Sequence, residues 1–375
     1  GVYESLATLG TSNWILGNQL VSGFFPNKIP NPDLKWERTG QFDIGLDLGL
    51  FNNRLRITTD YYKKKTTDLL YSVAVPATSG YQTMLKNIGS IENQGYELSI
   101  ESDNLTGAFS WTTAFNIAFN RNKVLELGGE EYKEMAEGDG HLKTGSVRRL
   151  IVGEPIGVFY GYRFDGIFQN EEECKQQTSS ASPIGVGLRR YKDLNGDGKV
   201  DAANDREILG DANPKFFGGL TNTFAYKGFE LNVFLQYSYG NKILNYNAME
   251  LENPTGGQNA YADMVNRWTP ENPSNIYPKA TTNRALLVSD RFIEDGSYLK
   301  LKTLSLSYSF PKINLKHIQG LRLYVTGQNL LTWTKYRGYD PEVSYRGAST
   351  LEAGEDFGGY PQSRTFMFGI KLDIK

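Results

Sequence analysis

The sequence is short of the residues that most often carry chemistry. Among its 375 residues are one cysteine, Cys174, and two histidines, His141 and His317. A single thiol cannot close a disulfide within the chain, which leaves the redox compartment open. Cys174 reads as an idle thiol. The two histidines stand apart, without the spacing that places two imidazoles on one metal ion. Also missing are a Gly-x-Ser-x-Gly elbow, a phosphate-cradling Walker loop and a dinucleotide glycine pattern. Acidic residues are plentiful, and they read as solvated groups rather than a glycosidase pair. The chain is therefore not expected to be an enzyme. An excess of one charge is missing too: 40 Lys and Arg face 42 Asp and Glu, a formal charge of -2. Nothing there attracts a nucleic acid backbone. No stretch reaches the ~18 apolar residues of a membrane-spanning helix, which excludes helical spans but not the fainter signal of barrel strands. Gly1 is not followed by a basic-then-apolar leader, so an exported chain is expected to start elsewhere.

Aromatic residues are abundant at 13%, and 40 glycines are scattered without a collagen period. The dominant pattern is alternation of apolar and polar residues, which marks strands with one apolar face. In Gln41–Leu50, Phe42, Ile44, Leu46, Leu48 and Leu50 oppose Asp43, Gly45, Asp47 and Gly49. Ala108–Arg121, Phe229–Tyr239 and Phe366–Ile374 repeat the pattern. Similar runs lie near Val2–Leu16, Arg54–Lys65, Gln94–Ser102, Phe216–Tyr226, Tyr298–Phe310 and Leu321–Thr332. These make roughly ten strands, many longer than the five or six residues usual in soluble sheets. About nine residues suffice for a tilted strand to cross a bilayer. Two shorter runs, near Val147–Val152 and Gly157–Phe168, would add a pair.

The links between these runs alternate in length. Asn52-Asn53, Asp103–Gly107, Lys227-Gly228 and Lys312–Gly320 are short, whereas Gly17–Gly40, Thr66–Asn93, Asn122–Lys215, Gly240–Ser297 and Trp333–Ser363 are long. If the strands are antiparallel, all tight turns fall at one end and all long loops at the other. That is the layout of a bacterial outer-membrane barrel, and a soluble sandwich has no reason to sort its loops this way. The bulk numbers, 39% hydrophobic residues and a mean hydropathy of -0.45, point to a soluble protein. The sorted links outweigh them, because a wide barrel keeps one polar face. The runner-up reading is a secreted calcium-binding β-sandwich that binds carbohydrate.

One loop has metal-ligand spacing. Asp193, Asn195 and Asp197 place oxygen side chains at alternate positions, Gly198 follows at the turn, and the Lys199 carbonyl would be a backbone ligand. The spacing fits a Ca²⁺ loop of EF-hand type. The carboxylate expected at the twelfth position is Asn204 here, so Asp205 or Asp201 would complete the set. An Asx-rich glycine turn holding no metal explains the same residues. Lys63-Lys64-Lys65 closes a strand beside a long link and reads as a solvated end. The tryptophans are dispersed: those at strand ends suit an aromatic girdle, and those in loops suit packing or stacking on a sugar face.

A set of strings in order resembles the SusC/RagA family of TonB-dependent outer-membrane transporters. Asn31-Pro32-Asp33-Leu34-Lys35-Trp36-Glu37 is similar to a family signature, as are Asn87-Ile88-Gly89 with Asn93-Gln94-Gly95-Tyr96-Glu97-Leu98. Gly153-Glu154-Pro155-Ile156-Gly157, Pro214-Lys215-Phe216-Phe217-Gly218-Gly219-Leu220 and Gly327-Gln328-Asn329-Leu330 follow. Tyr360-Pro361-Gln362-Ser363-Arg364-Thr365-Phe366 ends the set. The resemblance covers nearly the whole chain. It implies that residues 1–375 are the C-terminal half of an antiparallel transmembrane barrel of about 22 strands with long extracellular loops. The plug domain and the segment that meets TonB are expected outside this chain. The resemblance also implies a place in the outer membrane, contact with its lipid, a SusD-like surface lipoprotein as partner, and a glycan or oligopeptide nutrient as cargo.

Overall fold

A computed structural model describes residues 5–374 except positions 82, 136–137, 139–140, 143, 254–258, 283–285, 311–317, 343, 346, 348 and 350, with no side-chain description at 74 and 77. His317 and most of the expected Lys312–Gly320 turn lie outside the described residues.

Nine strands form one sheet. In chain order they are β1 (Arg38–Leu50), β2 (Leu55–Ala74), β3 (Thr83–Leu105), β4 (Phe109–Leu127), β5 (Phe216–Tyr226), β6 (Phe229–Tyr239), β7 (Tyr298–Ser309), β8 (Ile318–Thr334) and β9 (Thr365–Ile374). Each pairs antiparallel with its neighbours in sequence, so spatial order equals chain order. The long strands thus make a single wall and not the two packed sheets of a sandwich. Within it, β1 and β9 each pair along one side only.

The register turns the alternation of each strand into two continuous faces. Leu48, Ile57, Ile100, Phe115, Leu220, Leu235, Leu301 and Leu331 are successive cross-strand partners from β1 to β8. The adjacent row, one residue away on each of these strands, is Asp47, Thr58, Ser99, Asn116, Gly219, Gln236, Lys300 and Thr332. Because neighbouring residues on a strand point to opposite sides, the first row lies on one face and the second on the other. A one-residue slip in any strand would push a polar side chain into the apolar row.

Aromatic rings bound the apolar face at both ends. Near the tight turns, Phe229 and Tyr308 lie 4.5 Å apart between ring centres, and Tyr308 and Phe310 4.8 Å. At the other end, Phe216 stacks on Tyr239 at 5.0 Å. Phe216 to Tyr226 is ten steps along β5, roughly 33 Å of extended chain. Tilted by about 40°, that covers about 25 Å, the height of an outer-membrane apolar band.

The tight turns are built from left-handed backbone. Lys227 and Gly228 have φ of 47° and 87°, the sign of φ that two-residue hairpin turns require. Phe51, Asn52 and Asn53 turn β1 into β2 with φ of 54°, 57° and 62°. At the opposite end, the three long links 128–215, 240–297 and 335–364 fold together. Their shared core includes Leu142, Phe159, Leu244, Tyr246, Met249 and Phe292, all buried. A small sheet of Ile293–Asp295, Lys242–Asn245 and Glu355–Asp356 joins the second link to the third.

Three expectations are corrected. The run near Val2–Leu16 does not join the wall: Leu9–Leu16 pairs with Gln19–Pro26 in a separate hairpin, and residues 1–4 lie outside the described ones. The expected long loop Thr66–Asn93 is mostly strand. β2 and β3 stay paired out to Ala74 and Thr83, with register shifts around Leu69, because Asp68 at φ 58° takes up the bulge without ending the ladder. The runs near Val147–Val152 and Gly157–Phe168 do form strands, Arg149–Ile151, Val158–Tyr162 and Phe164–Ile167, but these pair within small sheets of the loop layer. Their residues are largely buried on both sides, so they behave as core of the layer rather than as wall.

Candidate functional site

The polar face of the wall and the loop layer above it are the parts suited to handle a solute. They meet around Lys300 on β7. Its ammonium is buried and bonds Asp340 at 2.5 Å and Glu342 at 2.5 Å, while Lys302, two residues on, reaches Glu342 at 2.8 Å. Gln236 of the same polar row donates to Glu342 at 3.2 Å. The third long link is thereby pinned onto the polar face. Burial alone would raise the Glu342 carboxyl, but the two lysines outweigh it and hold the group below its usual range. Of the residues expected on the two faces, Phe42, Phe115, Leu235 and Phe368 share the apolar side, and Asp43, Asn116, Gln236 and Lys371 the polar side.

Inside the loop layer, charges are paired where apolar contacts dominate. Arg148 and Glu355 are both almost fully buried and bond at 2.9 Å. Burial pushes the Arg148 guanidinium down and Glu355 pulls it back. Glu252, with no exposed surface, takes Arg291 at 2.7 Å and Arg337 at 2.8 Å. Tyr336 donates to Asp356. Sequence reasoning missed these groups, since Arg148 and Glu355 are 207 positions apart and no spacing links them. The only hint was lysine at positions 300 and 302 in an otherwise apolar-alternating run.

The signature strings act as staples. Asn31 donates to the Leu85 carbonyl at 2.9 Å, Asn87 donates to the carbonyls of Lys35 and Asp68, and Glu37 accepts from the Leu70 amide at 3.0 Å. Together they clamp the segment before β1 onto the bulge between β2 and β3. Trp111 and Trp333 lie on wall strands, Trp14 lies in the separate hairpin, and Trp268 of the loop layer donates to Gln169 at 3.0 Å.

The Asp193–Asp205 loop lies in the first long link. Asp193 accepts from the amides of Gly196 and Gly198 at 2.7 Å each, and Asn195 and Asp197 accept from the amides of Asp197 and Lys199. Gly196 and Gly198 have φ of 75° and 77°. Lys199 turns its ammonium to Asp201 at 3.0 Å, which raises the lysine and lowers the acid. Asp205 is fully buried and spends its two oxygens on the amides of Leu194 and Asp201, at 2.7 Å each. Among the described residues, no three His, Cys, Asp or Glu side chains are grouped to hold an ion. As arranged, the loop is a run of Asx turns closed by an inward carboxylate. Cys174 lies on the short helix Glu171–Lys175, where burial, with Glu171 and Glu173 beside it, pushes its thiol up.

The model of the TonB-dependent receptor-like β-barrel family matches residues 4–330. The chain belongs to that family. This TonB-dependent receptor barrel is 40% identical to TonB-dependent receptor P3 of Formosa agariphila, over 99% of this chain and 37% of that protein. It is 30% identical to TonB-dependent receptor SusC of Bacteroides thetaiotaomicron, over 92% of this chain and 33% of that protein. Its fold matches the structure of the RagAB peptide transporter with a TM-score of 0.79 at 26% identity, covering 99% of this chain and 39% of that one. The receptor chain thus spans about a third of the length of the curated relatives it matches. It is an outer-membrane protein.

Proposed function

We propose that the chain is the C-terminal wall and extracellular loop layer of an importer. The importer carries a glycan or oligopeptide nutrient across the outer membrane, driven through TonB. The observation that carries this reading is the registered pair of rows, one apolar for lipid and one polar for a water-filled lumen, capped at one end only by a folded loop layer. The plug and the TonB-contacting segment belong to the rest of a longer protein, which also supplies strands for the free edges of β1 and β9. A SusD-like surface lipoprotein sits over the loop layer. No chemical step is assigned to this chain: the charged groups of the loop layer are paired with one another in ways that fix loops. The RagAB peptide transporter supports the oligopeptide arm, and the glycan arm rests on the resemblance of the sequence strings to the SusC/RagA family.

The Asp193–Asp205 loop belongs to the same reading as a structural Ca²⁺ site, with Asp193, Asn195, Asp197, the Lys199 carbonyl and either Asp201 or Asp205 as ligands. Its support is the alternating oxygens and two left-handed glycines. Filling it requires Asp201 to leave Lys199 or Asp205 to turn outward. The import reading is tested by deleting the full-length gene in its host and measuring growth on single glycans and on oligopeptides. Loss of growth on one nutrient, restored by the intact gene and not in a strain lacking TonB, is expected. Unchanged growth and uptake on every nutrient would overturn it.

A further inference from the structure

Lys63, Lys64 and Lys65 do not end a strand. β2 continues past Lys65 to Ala74 and stays paired with β3. Lys63 is the cross-strand partner of Phe42, so Lys63 and Lys65 stand on the apolar side and Lys64 on the polar side. On that apolar side Ile44, Tyr61, Tyr96 and Phe119 are successive partners, and Phe216 packs on Phe119 at 5.8 Å between ring centres. The next row outward, towards the long links, is Lys63, Gln94 and Arg121, and the row beyond it is Lys65, Glu92 and Lys123. Inward of the aromatic row, the apolar side of β1 to β6 carries no charged residue among the described residues. The side therefore turns from apolar to charged within one step, and it does so at the long-link end.

The charges in these two rows do not balance. Glu92 takes Lys63 at 3.1 Å. Arg121 gives its Nη1 to the carbonyls of Asn120 and Lys215 at 2.9 and 3.0 Å, which fixes the guanidinium beside β5 without cancelling its charge. Lys65 and Lys123 have no carboxylate partner among the described residues. Farther out, Arg38 is matched by Asp68 at 2.7 Å, and Glu126 stands opposite Ser90. Four exposed cations thus face one acid on three neighbouring strands. Their backbones mark the corners of a patch about 10 Å by about 7 Å, two strand spacings by two residues. In open water such groups are solvated and screened. Beside an apolar band water covers them from one side only, and their field is stronger.

We propose that Lys63, Lys65, Arg121 and Lys123 bind the phosphate head group of an anionic lipid of the outer leaflet. The head lies on the two charged rows, and the acyl chains run inward over Tyr61, Tyr96 and Phe119. A phosphate cancels the surplus charge, and the Arg121 guanidinium and the lysine ammoniums are its usual donors. The aromatic row commits the site to a lipid: a free phosphate gains the cations but leaves the rings uncovered. Glu92 lies within the patch, close to Lys63, and keeps the surplus small enough for one head group. The proposal rests on the outer-membrane reading, in which the apolar side meets lipid and the long links face outward.

The test uses the full-length receptor in bilayer discs and the rates at which Lys63, Lys65 and Lys123 are acetylated, read by mass spectrometry. Lipid A added to phosphatidylcholine discs, whose own phosphate carries a cation, should slow all three several-fold. Lipid A stripped of its phosphates should not, nor should inorganic phosphate, and Lys371 on the polar side should be indifferent throughout. Lys63→Gln together with Arg121→Gln should remove most of the protection at Lys65 and Lys123. Equal rates with and without lipid A, or equal protection by inorganic phosphate or by the stripped lipid, would overturn the proposal. These comparisons use the wild-type receptor, so a folding defect in the variant cannot obscure them. Leu235→Cys in the same discs reports separately on the faces. Labelling by a lipid-soluble maleimide and not by a water-soluble one keeps the apolar side in lipid, and absent protection then sinks this proposal alone. Labelling by the water-soluble reagent sinks the outer-membrane reading of the faces and this proposal with it.

Discussion

Placing arginine on either side of one point in the wall tests the two faces directly. Leu235 and Gln236 are neighbours on β6, in the apolar and polar rows respectively. Leu235 is four residues from Tyr239 and six from Phe229, the aromatic ends of the strand. At ~3.3 Å per residue and a tilt of about 40°, it sits roughly 15 Å from the tight-turn girdle and 10 Å from the other. That is within about 3 Å of the midplane, where arginine on a lipid face costs ~2–4 kcal/mol. Leu235→Arg should shift the balance between assembled and unassembled barrel by roughly 30- to 700-fold. Gln236→Arg should be close to neutral, because its head group stays in the lumen and lies near Glu342. The assay is the fraction of full-length receptor in the outer membrane that is heat-modifiable on gels and protease-resistant. Leu235→Arg assembling as well as wild type, or Gln236→Arg failing instead, would show the faces reversed.

Other consequences concern the loop layer and turns. Glu355→Gln should cost about 3–5 kcal/mol of loop-layer stability by stranding Arg148, read as faster proteolysis of the long links with the wall intact. The Glu342 carboxyl is lowered in the folded receptor, so its contribution is full above the usual carboxylate range and is lost as pH falls through the lowered value. Hydrogen exchange of link 335–364 should therefore rise in acid, and Glu342→Gln should flatten that response. If the Asp193–Asp205 loop binds calcium, chelator should raise its cleavage, and Asp197→Ala should make cleavage indifferent to chelator. Identical cleavage of the wild type with and without chelator would leave only an Asx turn. Gly228→Ala should cost about 1–2 kcal/mol by strain alone, since φ is 87° and a Cβ would meet the Ser309 carbonyl oxygen at 2.6 Å; a melting temperature equal to wild type would contradict it.

What was legible in the sequence was whatever repeats along a strand. Phe229–Tyr239 and Phe216–Tyr226 were read with the bounds they have, since alternation and the Lys227-Gly228 turn are local signals. The Thr66–Asn93 error arose because alternation lapses at the bulge beside Asp68, while backbone pairing, which has no sequence period, continues. Val2–Leu16 alternates much as a wall strand does, and nothing local says that its partner is Gln19–Pro26. The buried ionic pairs were invisible because no fixed spacing links their members: 207 positions separate Arg148 from Glu355, 85 separate Glu252 from Arg337 and 40 separate Lys300 from Asp340. The spacing from Asp193 to Asp205 was plain, but whether its carboxylates converge depends on where Asp205 points, and it points inward.

The strictly sequential order of the wall strands has a consequence for how such proteins diversify. Each long link closes on two strands that the wall already holds side by side. Lengthening a link from the size of 75–82 to that of 128–215 adds only roughly 2 kcal/mol of closure entropy, because the cost rises with the logarithm of length. Insertions at that rim are therefore cheap, whereas an inserted residue within a strand inverts every side chain beyond it. Natural variation can rebuild what the mouth recognises while the bilayer-spanning frame stays in register.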